Sequence, residues 1–302
     1  MRTAESVVAS LRARGELWDP APGIVGLRGS VLALLKRLEH EISLVAQLDA
    51  PEEWLAPPTL PLRTLERAEY FASFPFWLTA VSHLPDDEPT LEQIATAGDA
   101  VRSARHAAVA ADVALPPALC YHVYERLAGR RLTTTRLITL SGTCWRHERE
   151  HLTPLERQWA FTMREVVCLG APEDVEDFRQ RAMRVAGALA SRLDLDAGFL
   201  VATDPFFAPT ARGKGLLQRV KGLKHELALP IGGERSTAAA SFNNHEQFFG
   251  QAFGITLENG EPASSGCVAF GLERWLLAFL VAHGVDRVAW PSLDPTYEET
   301  SA

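Results

Sequence analysis

The sequence predicts an α+β protein in which an antiparallel β-sheet, flanked by helices, follows a short helical N-terminal extension. Apolar residues recur at helical spacing near the N-terminus, and short segments of period-two alternation follow one another from Thr133 onward. The two kinds of segment do not alternate regularly, as they would in a doubly wound parallel sheet. We therefore expect strands that pair mainly antiparallel and helices that cover the sheet.

The N-terminal extension is predicted to contain two helices, at residues 3–14 and 27–48. The proline-rich segment 49–61 joins them to the main body of the protein. This boundary predicts two units, a helical extension over residues 1–50 and the main domain over residues 51–302.

Within the main domain, an alanine-rich segment predicts one long helix over residues 90–113. The other predicted helices cover residues 116–127, 173–193 and 271–282, and the predicted strands cover residues 133–141, 199–203, 226–230, 238–242, 254–257 and 265–270.

Composition limits the possible functions. The chain has 302 residues, 47% of them hydrophobic, so it can bury a large core, and its formal net charge of −8 argues against broad, non-specific binding to nucleic acid. No apolar run approaches the ~18 residues that a membrane span needs, and the N-terminus lacks the apolar core of a signal peptide. We expect a cytoplasmic protein that does not enter membranes, with its four cysteines as thiols or metal ligands.

The segment Thr143–Gly170 reads as two strands joined by a charged loop. Buried charges cost several kcal/mol unless they are paired or bound to a ligand. The charged face of this hairpin therefore indicates either a site for a polyanion or an exposed ladder of salt bridges. Period-two alternation puts the following side chains on that face: Cys144, Arg146 and Glu148 from the first strand, and Arg157, Trp159, Phe161, Met163 and Glu165 from the second.

A second unit, Phe270–Arg274, reads as a strand, a glycine turn and a helix whose first turn presents Arg274. Arginine can bind phosphate, whereas an arginine at this position could equally pair with Glu273. The sequence contains neither G-x-G-x-x-G after a strand nor G-x-x-x-x-G-K-[ST], so side chains on the sheet would have to hold a nucleotide.

These segments resemble the catalytic core of class II aminoacyl-tRNA synthetases of the seryl type. Residues 144–170 resemble motif 2, Gly271–Arg274 resembles motif 3, and residues 53–75, with their Pro57–Pro58 pair, resemble motif 1. A closer likeness, to the truncated amino acid:[carrier protein] ligases, lies in LKHELALPIGG (223–233), SFNNHEQFFG (241–250) and SSGCVAFGLERW (264–275).

The resemblance to these ligases implies ATP-dependent activation of a small amino acid, glycine or alanine, as an aminoacyl-adenylate. The product is transferred to the phosphopantetheine thiol of an acidic carrier protein, and the resemblance implies a homodimer that contacts its partner through motif 1. A tRNA-charging seryl-type synthetase and a non-catalytic paralogue that acts as an interaction protein are the alternatives. The acidic chain and the absence of a predicted RNA-binding arm argue against tRNA as a partner.

The resemblance also implies roles for the ATP-binding residues. Arg146 contacts the α-phosphate, Glu148 accepts a hydrogen bond from the adenine amine, and Phe161 stacks on the base. Arg274 covers the other face of the base and reaches the terminal phosphates, and Arg157 contacts the outer phosphates. Mg²⁺ is expected to bridge the ATP phosphates.

The amino-acid and magnesium sites are less fully specified by the resemblance. Seryl enzymes carry an acidic magnesium ligand shortly before motif 3, whereas the matching stretch Thr237–Ser241 has no carboxylate. Ser241 and Asn243 are candidates for the amino-acid pocket.

For a metal, the resemblance implies a Zn²⁺ site of Cys120, Glu165 and Cys267, one per subunit, with an open position for the substrate's amino group. A single cysteine is more commonly a small buried hydrophobe, and we keep that interpretation for Cys168, whose strand parity differs from that of Glu165. Cys144 could line the site.

The most basic stretch of the chain is Ala211–Leu227. Complementary charge would steer docking of an acidic carrier protein, although a solvated helix face explains the same pattern. The candidate docking residues are Arg212, Lys214, Arg219 and Lys221, and the stretch also contains Lys224.

Overall fold

The computed structural model describes residues 2–47, 50–148, 151–207 and 209–291, without the side chains of residues 209–212, 214 and 217. Its helices are α1 (Ala4–Ala13), α2 (Gly29–Ala46), α3 (Leu62–Arg67), α4 (Tyr70–Ser73), α5 (Glu88–Thr96), α6 (Ala100–Ala107), α7 (Cys120–Arg126), α8 (Pro172–Arg192), α9 (Pro209–Lys221), α10 (Phe248–Phe253) and α11 (Leu272–His283). Its strands are β1 (Leu17–Ala21), β2 (Ile24–Leu27), β3 (Glu52–Trp54), β4 (Leu60–Pro61), β5 (Thr79–His83), β6 (Val109–Leu115), β7 (Arg131–Leu132), β8 (Arg136–Trp145), β9 (Ala160–Gly170), β10 (Gly198–Val201), β11 (Lys224–Gly232), β12 (Arg235–Asn244), β13 (Thr256–Leu257) and β14 (Ser264–Gly271).

The main sheet has seven strands in the order β10-β11-β12-β14-β9-β8-β3. All neighbouring pairs are antiparallel except β3 and β8, which run parallel. The α+β fold with a mainly antiparallel sheet, predicted from the sequence, is confirmed.

Each face of this sheet carries its own hydrophobic core. On one face, α8 and α11 cover the central strands, and α1 and α2 pack around them. On the other face lie α7 and α10. Period-two alternation sends Val166 and Cys168 of β9 to the first face and Glu165 and Val167 to the second. The second face carries the candidate site.

The N-terminal extension differs from two simple helices, because the β1–β2 hairpin lies between α1 and α2. Gly23 at its turn has φ +74°, a conformation that glycine adopts at little cost. Val7 of α1 and Leu38 of α2 are buried in the same core as Trp275 of α11. Residues 1–50 therefore share a core with the sheet, and the division at residue 50 stays a prediction.

The single helix predicted over residues 90–113 is wrong: the segment is helical in α5 and α6, with a break between them, and residues 109–113 belong to β6. Asp99 accepts a hydrogen bond from the backbone N–H of Arg102 and so starts the separate helix α6. The alternating residues of β6 then pair with β5. Alanine is a good helix former, but strand pairing overrides that weak local preference here.

The hairpin of residues 143–170 forms, with shorter strands than predicted. Strand β8 ends at Trp145, so Arg146 and Glu148 lie in the loop beyond it, and Arg157 precedes β9. Cys144 pairs directly with Phe161.

Among the helices of the described residues, none combines the length and apolar character that crossing a membrane requires.

Candidate active site

A cavity of about 770 Å³ opens on the second face of the main sheet. Aromatic side chains of Phe74, Trp77 and Phe206 form part of its wall. It brings together the predicted nucleotide, metal and amino-acid residues: Arg146, Glu148, Arg157, Phe161, Arg274, Cys120, Glu165, Cys267, Ser241 and Asn243 all line it.

The floor of the cavity follows from strand register. Cys267 of β14 is paired with Asn243 of β12, and Ala269 is paired with Ser241 on one side and Glu165 of β9 on the other. Residues two apart on a strand share a face, so all these side chains point into the cavity.

Cys120, Glu165 and Cys267 form the candidate metal centre. One ligand atom from each lies within 4.8 Å of the others, and all three residues are buried. The Glu165 carboxylate accepts hydrogen bonds from the backbone N–H groups of Leu119 and Cys120, each at 2.9 Å, so it is fixed against the first turn of α7. Asn243 Nδ2 lies 3.5 Å from the Cys267 Sγ atom.

The electrostatics of this cluster favour a bound cation. Burial raises the pKa of Glu165. The neighbouring Cys267 thiol, burial and the charge of Glu165 raise the pKa of Cys120. Burial also lowers the pKa of His245, beside Cys267, to about 4, so this ring is neutral near pH 7. A hydrogen bond with Cys120 lowers the pKa of Cys267, but burial and the charge of Glu165 outweigh it and raise that pKa. The carboxyl group and the two thiols therefore resist ionisation together, and a divalent cation would stabilise their charged forms.

All four cysteines lie within the described residues and are buried thiols. Cys168 belongs to the core on the opposite face from Glu165. Cys144 is fully buried, with its Sγ atom 3.9 Å from the sulfur of Met163. It shares a core with Cys120 and Cys267 but does not line the cavity.

Arg146 is held at the edge of the cavity by three contacts. Its Nε donates to the carbonyl of Pro117 at 3.0 Å. Its guanidinium lies 5.0 Å from the centroid of the Trp77 ring and 5.3 Å from that of Phe161. These contacts leave the outer guanidinium nitrogens available to a ligand.

Arg274 is fixed by backbone groups. It donates to the carbonyls of Glu156 and Ala238, each at 2.8 Å, and does not pair with Glu273. Both carboxylate oxygens of Glu273 instead accept from the backbone N–H of Thr162 at 2.9 Å. Burial lowers the pKa of Arg274, and the positive charge of Arg146 adds to that effect. The two arginines therefore repel each other and would be stabilised by an anion between them.

Glu148 and Arg157 face each other across the loop between β8 and β9. Arg157 Nη1 lies 3.8 Å from the Glu148 carboxylate, and the Arg157 side chain is 49% exposed. This exposure leaves Arg157 able to reorient toward a ligand.

Sequence analysis missed a buried ion pair at the cavity wall. The Lys224 ammonium of β11 lies 2.5 Å from Asp204 and 3.2 Å from Glu226. Burial opposes its charge, but the two carboxylates outweigh burial and raise the Lys224 pKa. Lys224 belongs to the basic stretch in sequence, but its side chain is buried at the cavity wall and does not join the exposed basic surface. The Lys224-x-Glu226 pattern could have indicated this ion pair, because residues two apart on a strand share a face.

The basic stretch is only partly described. Arg219 is exposed at the C-terminal end of α9, and Lys221 pairs with Glu246 at 2.7 Å. The side chains of Arg212 and Lys214 lie outside the described residues. Gln218 of the same helix donates to the Asp204 carboxylate at 2.8 Å, which links α9 to the cavity wall.

Comparison with known proteins decides the family. No family model matches the chain. A protein named amino acid–[acyl-carrier-protein] ligase 1, from Bradyrhizobium diazoefficiens, is 40% identical over 239 residues, which cover 78% of this chain and 73% of that protein. The chain belongs to the amino acid–[acyl-carrier-protein] ligase family. The chain is also 34% identical over 274 residues to a second protein of that organism, named amino acid–[acyl-carrier-protein] ligase 2. The match covers 90% of this chain and 81% of that protein.

The solved structures agree on the fold of the ligase. M. kandleri SerRS, crystallised in complex with A. aeolicus tRNASec, superimposes with a TM-score of 0.86 at 23% identity, covering 97% of this chain and 60% of that one. The predicted class II synthetase-like fold is confirmed. The ligase spans less than two thirds of that synthetase, and the likeness carries the fold alone.

Proposed function

We propose that this ligase activates an amino acid with ATP and transfers it, as an aminoacyl-adenylate, to the phosphopantetheine thiol of a carrier protein. One observation carries the proposal: the predicted nucleotide residues and the predicted metal ligands face one shared cavity. The names of the two Bradyrhizobium relatives support an amino acid and an acyl carrier protein as the substrates.

In the first step, a carboxylate oxygen of the amino acid attacks the α-phosphorus of ATP. The bond to the bridging oxygen breaks, and pyrophosphate leaves. Arg146 stabilises charge on the α-phosphate, while Arg157 and Arg274 hold the outer phosphates. At the base, Glu148 accepts a hydrogen bond from the adenine amine, and Phe161 stacks on the ring. Catalysis then rests on positioning and electrostatics, and no protein nucleophile is needed.

In the second step, the carrier sulfur attacks the carbonyl carbon of the adenylate. The carbon–oxygen bond to AMP breaks, AMP leaves as the phosphate monoester, and the thiol proton passes to solvent. The thioester retains the amino acid's free amino group.

The candidate metal centre fits Zn²⁺, because two thiolates and a carboxylate are a common partial donor set for this ion. When bound, Zn²⁺ would supply an open coordination position for the substrate's α-amine. Glu165 is oriented for this role by Leu119 and Cys120. We propose glycine or alanine as the substrate, as the resemblance to the carrier-protein ligases implies, and the aromatic side chains of Tyr121 and Phe249 line the same cavity as the candidate metal ligands.

For Mg²⁺ with ATP, Glu226 is the candidate protein ligand. It lines the cavity and lies directly opposite Ser241 on the neighbouring strand, next to the stretch that lacks a carboxylate of its own. Carboxylate oxygens suit this ion. Ser241 and Asn243 remain candidates for contacts to the amino acid.

The proposal includes three further parts. The exposed basic side of α9, including Arg219 and Lys221, is the docking surface for an acidic carrier protein. The protein acts in the cytoplasm. It forms a homodimer through its motif 1-like segment, and light scattering after gel filtration tests this oligomeric state.

The deciding experiment is amino-acid-dependent ATP–pyrophosphate exchange across all twenty amino acids. We expect exchange with glycine or alanine, and loss of about 100-fold or more in Arg146→Ala, because it removes a charge-stabilising donor. Arg184→Ala, an exposed arginine outside the cavity and outside the motif 1-like segment, is the control. Transfer to a phosphopantetheinylated carrier and to tRNA follows: charging of tRNA, or no exchange with any amino acid, would contradict the proposal.

A further inference from the structure

The loop between β8 and β9 carries Arg146, Glu148 and Arg157. We propose that the β1–β2 hairpin holds this loop in its ATP-binding conformation through Gly23 and Trp159, which are positioning residues for adenylate formation. The inference rests on the proposed function, in which the loop side chains hold ATP.

Trp159 bonds to the main chain on both sides of the candidate ATP residues. Its indole N–H donates to the carbonyl of Glu148 at 2.8 Å, and its own carbonyl accepts from the backbone N–H of Arg146 at 2.9 Å. Its ring centroid lies 4.8 Å from that of His147. The direction of Arg146 and Glu148 therefore depends on where Trp159 sits.

The tip of the hairpin fixes Trp159 in turn. The backbone N–H of Trp159 donates to the carbonyl of Gly23 at 2.8 Å. A Cβ atom added at Gly23 would lie 2.9 Å from two atoms of the Trp159 ring and 3.3 Å from Leu152. Such contacts are too close to persist, so any side chain at Gly23 would displace the loop. Gly23 is thus required both for its positive φ and for this close approach.

A second set of contacts ties the same loop to the N-terminal residues. Leu155 is buried in the core that contains α1 and α2. Arg235 forms ion pairs with Glu5 of α1 and, at 2.7 Å, with Glu156 of the loop. Glu156 also accepts from Arg274 through its carbonyl. The N-terminal residues thus hold the loop at two separate places.

A loop that is ordered before ATP arrives loses less conformational freedom on binding. Loosening it should therefore weaken ATP binding selectively. The candidate metal centre lies on β9, β14 and α7, away from these contacts, so recognition of the amino acid should not change.

The first test compares Trp159→Phe with Trp290→Phe in the full-length protein. Both variants lose an indole hydrogen bond to a backbone carbonyl, at Glu148 in one case and at Gly284 in the other. We expect Trp159→Phe to raise the KM and Kd for ATP about 3- to 10-fold, the value of one hydrogen bond, with the KM for the amino acid unchanged. Equal ATP parameters in the two variants would overturn the inference.

The second test compares Gly23→Ala with Gly15→Ala. Both glycines have positive φ, +74° and +64°, so backbone strain is matched, but a Cβ at Gly15 meets only Arg28 at an ordinary 3.5 Å. We expect only Gly23→Ala to speed hydrogen exchange at the Arg146 and Trp159 amides and to raise the Kd for ATP.

Unchanged loop exchange in Gly23→Ala would refute the inference whether or not ATP binds. If Gly23→Ala fails to fold, Trp159→Phe decides by the same exchange measurement. Failure of the wild-type protein to bind ATP, with loop exchange altered as expected, would instead refute the proposed function.

Discussion

At the scale of single residues, the candidate site shows which side-chain relationships a sequence can predict. Strand parity was sufficient to place Glu165 and Cys168 on opposite faces of the sheet, as the structure has them. The position of Cys120 depends on how α7 packs over the strands, so only the family resemblance indicated it. The Lys224–Asp204 contact joins a strand to a loop, and neither residue alone indicated its partner.

The candidate metal centre gives a prediction at this scale. Cys267→Ala should reduce bound zinc from about one per chain to near zero and weaken zinc affinity about 100-fold or more, because loss of a direct ligand exceeds the 10- to 100-fold effect of outer partners. Zinc content after dialysis against a weak chelator is the measurement. Cys168→Ala also removes a buried thiol but should retain the metal; equal loss in both variants would contradict the site.

At the scale of elements, local pattern predicted the central hairpin and the main strands, while boundaries depended on neighbours. Strand β8 stops at Trp145 because the chain then turns to bond with Trp159 and Trp77 through Arg146 and His147. The segment assigned to one long helix divides into α5 and α6, and its C-terminal end instead provides part of β6 in a three-stranded sheet. Both errors arise from tertiary pairing that a local pattern does not contain.

The link between β11 and the segment before α9 predicts a stability effect. Asp204→Asn should lower the free energy of unfolding by about 2–3 kcal/mol, because Lys224 loses a charged hydrogen-bond partner in a buried position. Glu246→Gln makes the same chemical change in the exposed pair with Lys221 and should cost less than about 1 kcal/mol. Urea denaturation measures both.

The pH dependence of this effect follows from the pKa shifts. Burial opposes ionisation of Asp204, but Lys224 outweighs it and lowers the Asp204 pKa, so its contribution is present above the unfolded pKa of about 3.9 and is lost in acid. The raised Lys224 pKa means that its contribution is present below about 10.4 and is lost as the pH rises further. The difference between Asp204→Asn and wild type should therefore be largest between about pH 5 and 9. A constant difference down to pH 2 would contradict this account.

At the scale of the whole molecule, charge is unevenly distributed. The chain carries a formal net charge of −8, yet α9 and its flanks form a basic stretch next to the cavity. Composition predicted the negative net charge of the whole chain, and the order of residues in the sequence located the basic stretch. The shared core of residues 1–50 with α8 and α11 required the structure, because an amphipathic helix does not identify the surface that it covers.

This charge distribution predicts how the carrier protein is recognised. Reversal of two charges, Lys214→Glu with Arg219→Glu, should lower kcat/KM for transfer to an acidic carrier about tenfold at low salt and less at high salt. ATP–pyrophosphate exchange should stay unchanged. Lys36→Glu with Arg184→Glu alters the net charge equally on exposed residues elsewhere and should leave transfer intact. Equal loss of exchange and transfer would exclude a docking role.

The position of β14 has a consequence for the order of folding. This strand is buried along nearly its whole length and inserts between β12 and β9, although it is the last strand of the described chain. During synthesis, β9 and β12 therefore present unpaired edges until the ribosome has released residue 271 and beyond, and such edges are prone to wrong pairing. The same strand supplies Cys267 and leads directly to Arg274. The nascent chain thus completes its main sheet, its candidate metal centre and its candidate ATP residues in a single late event.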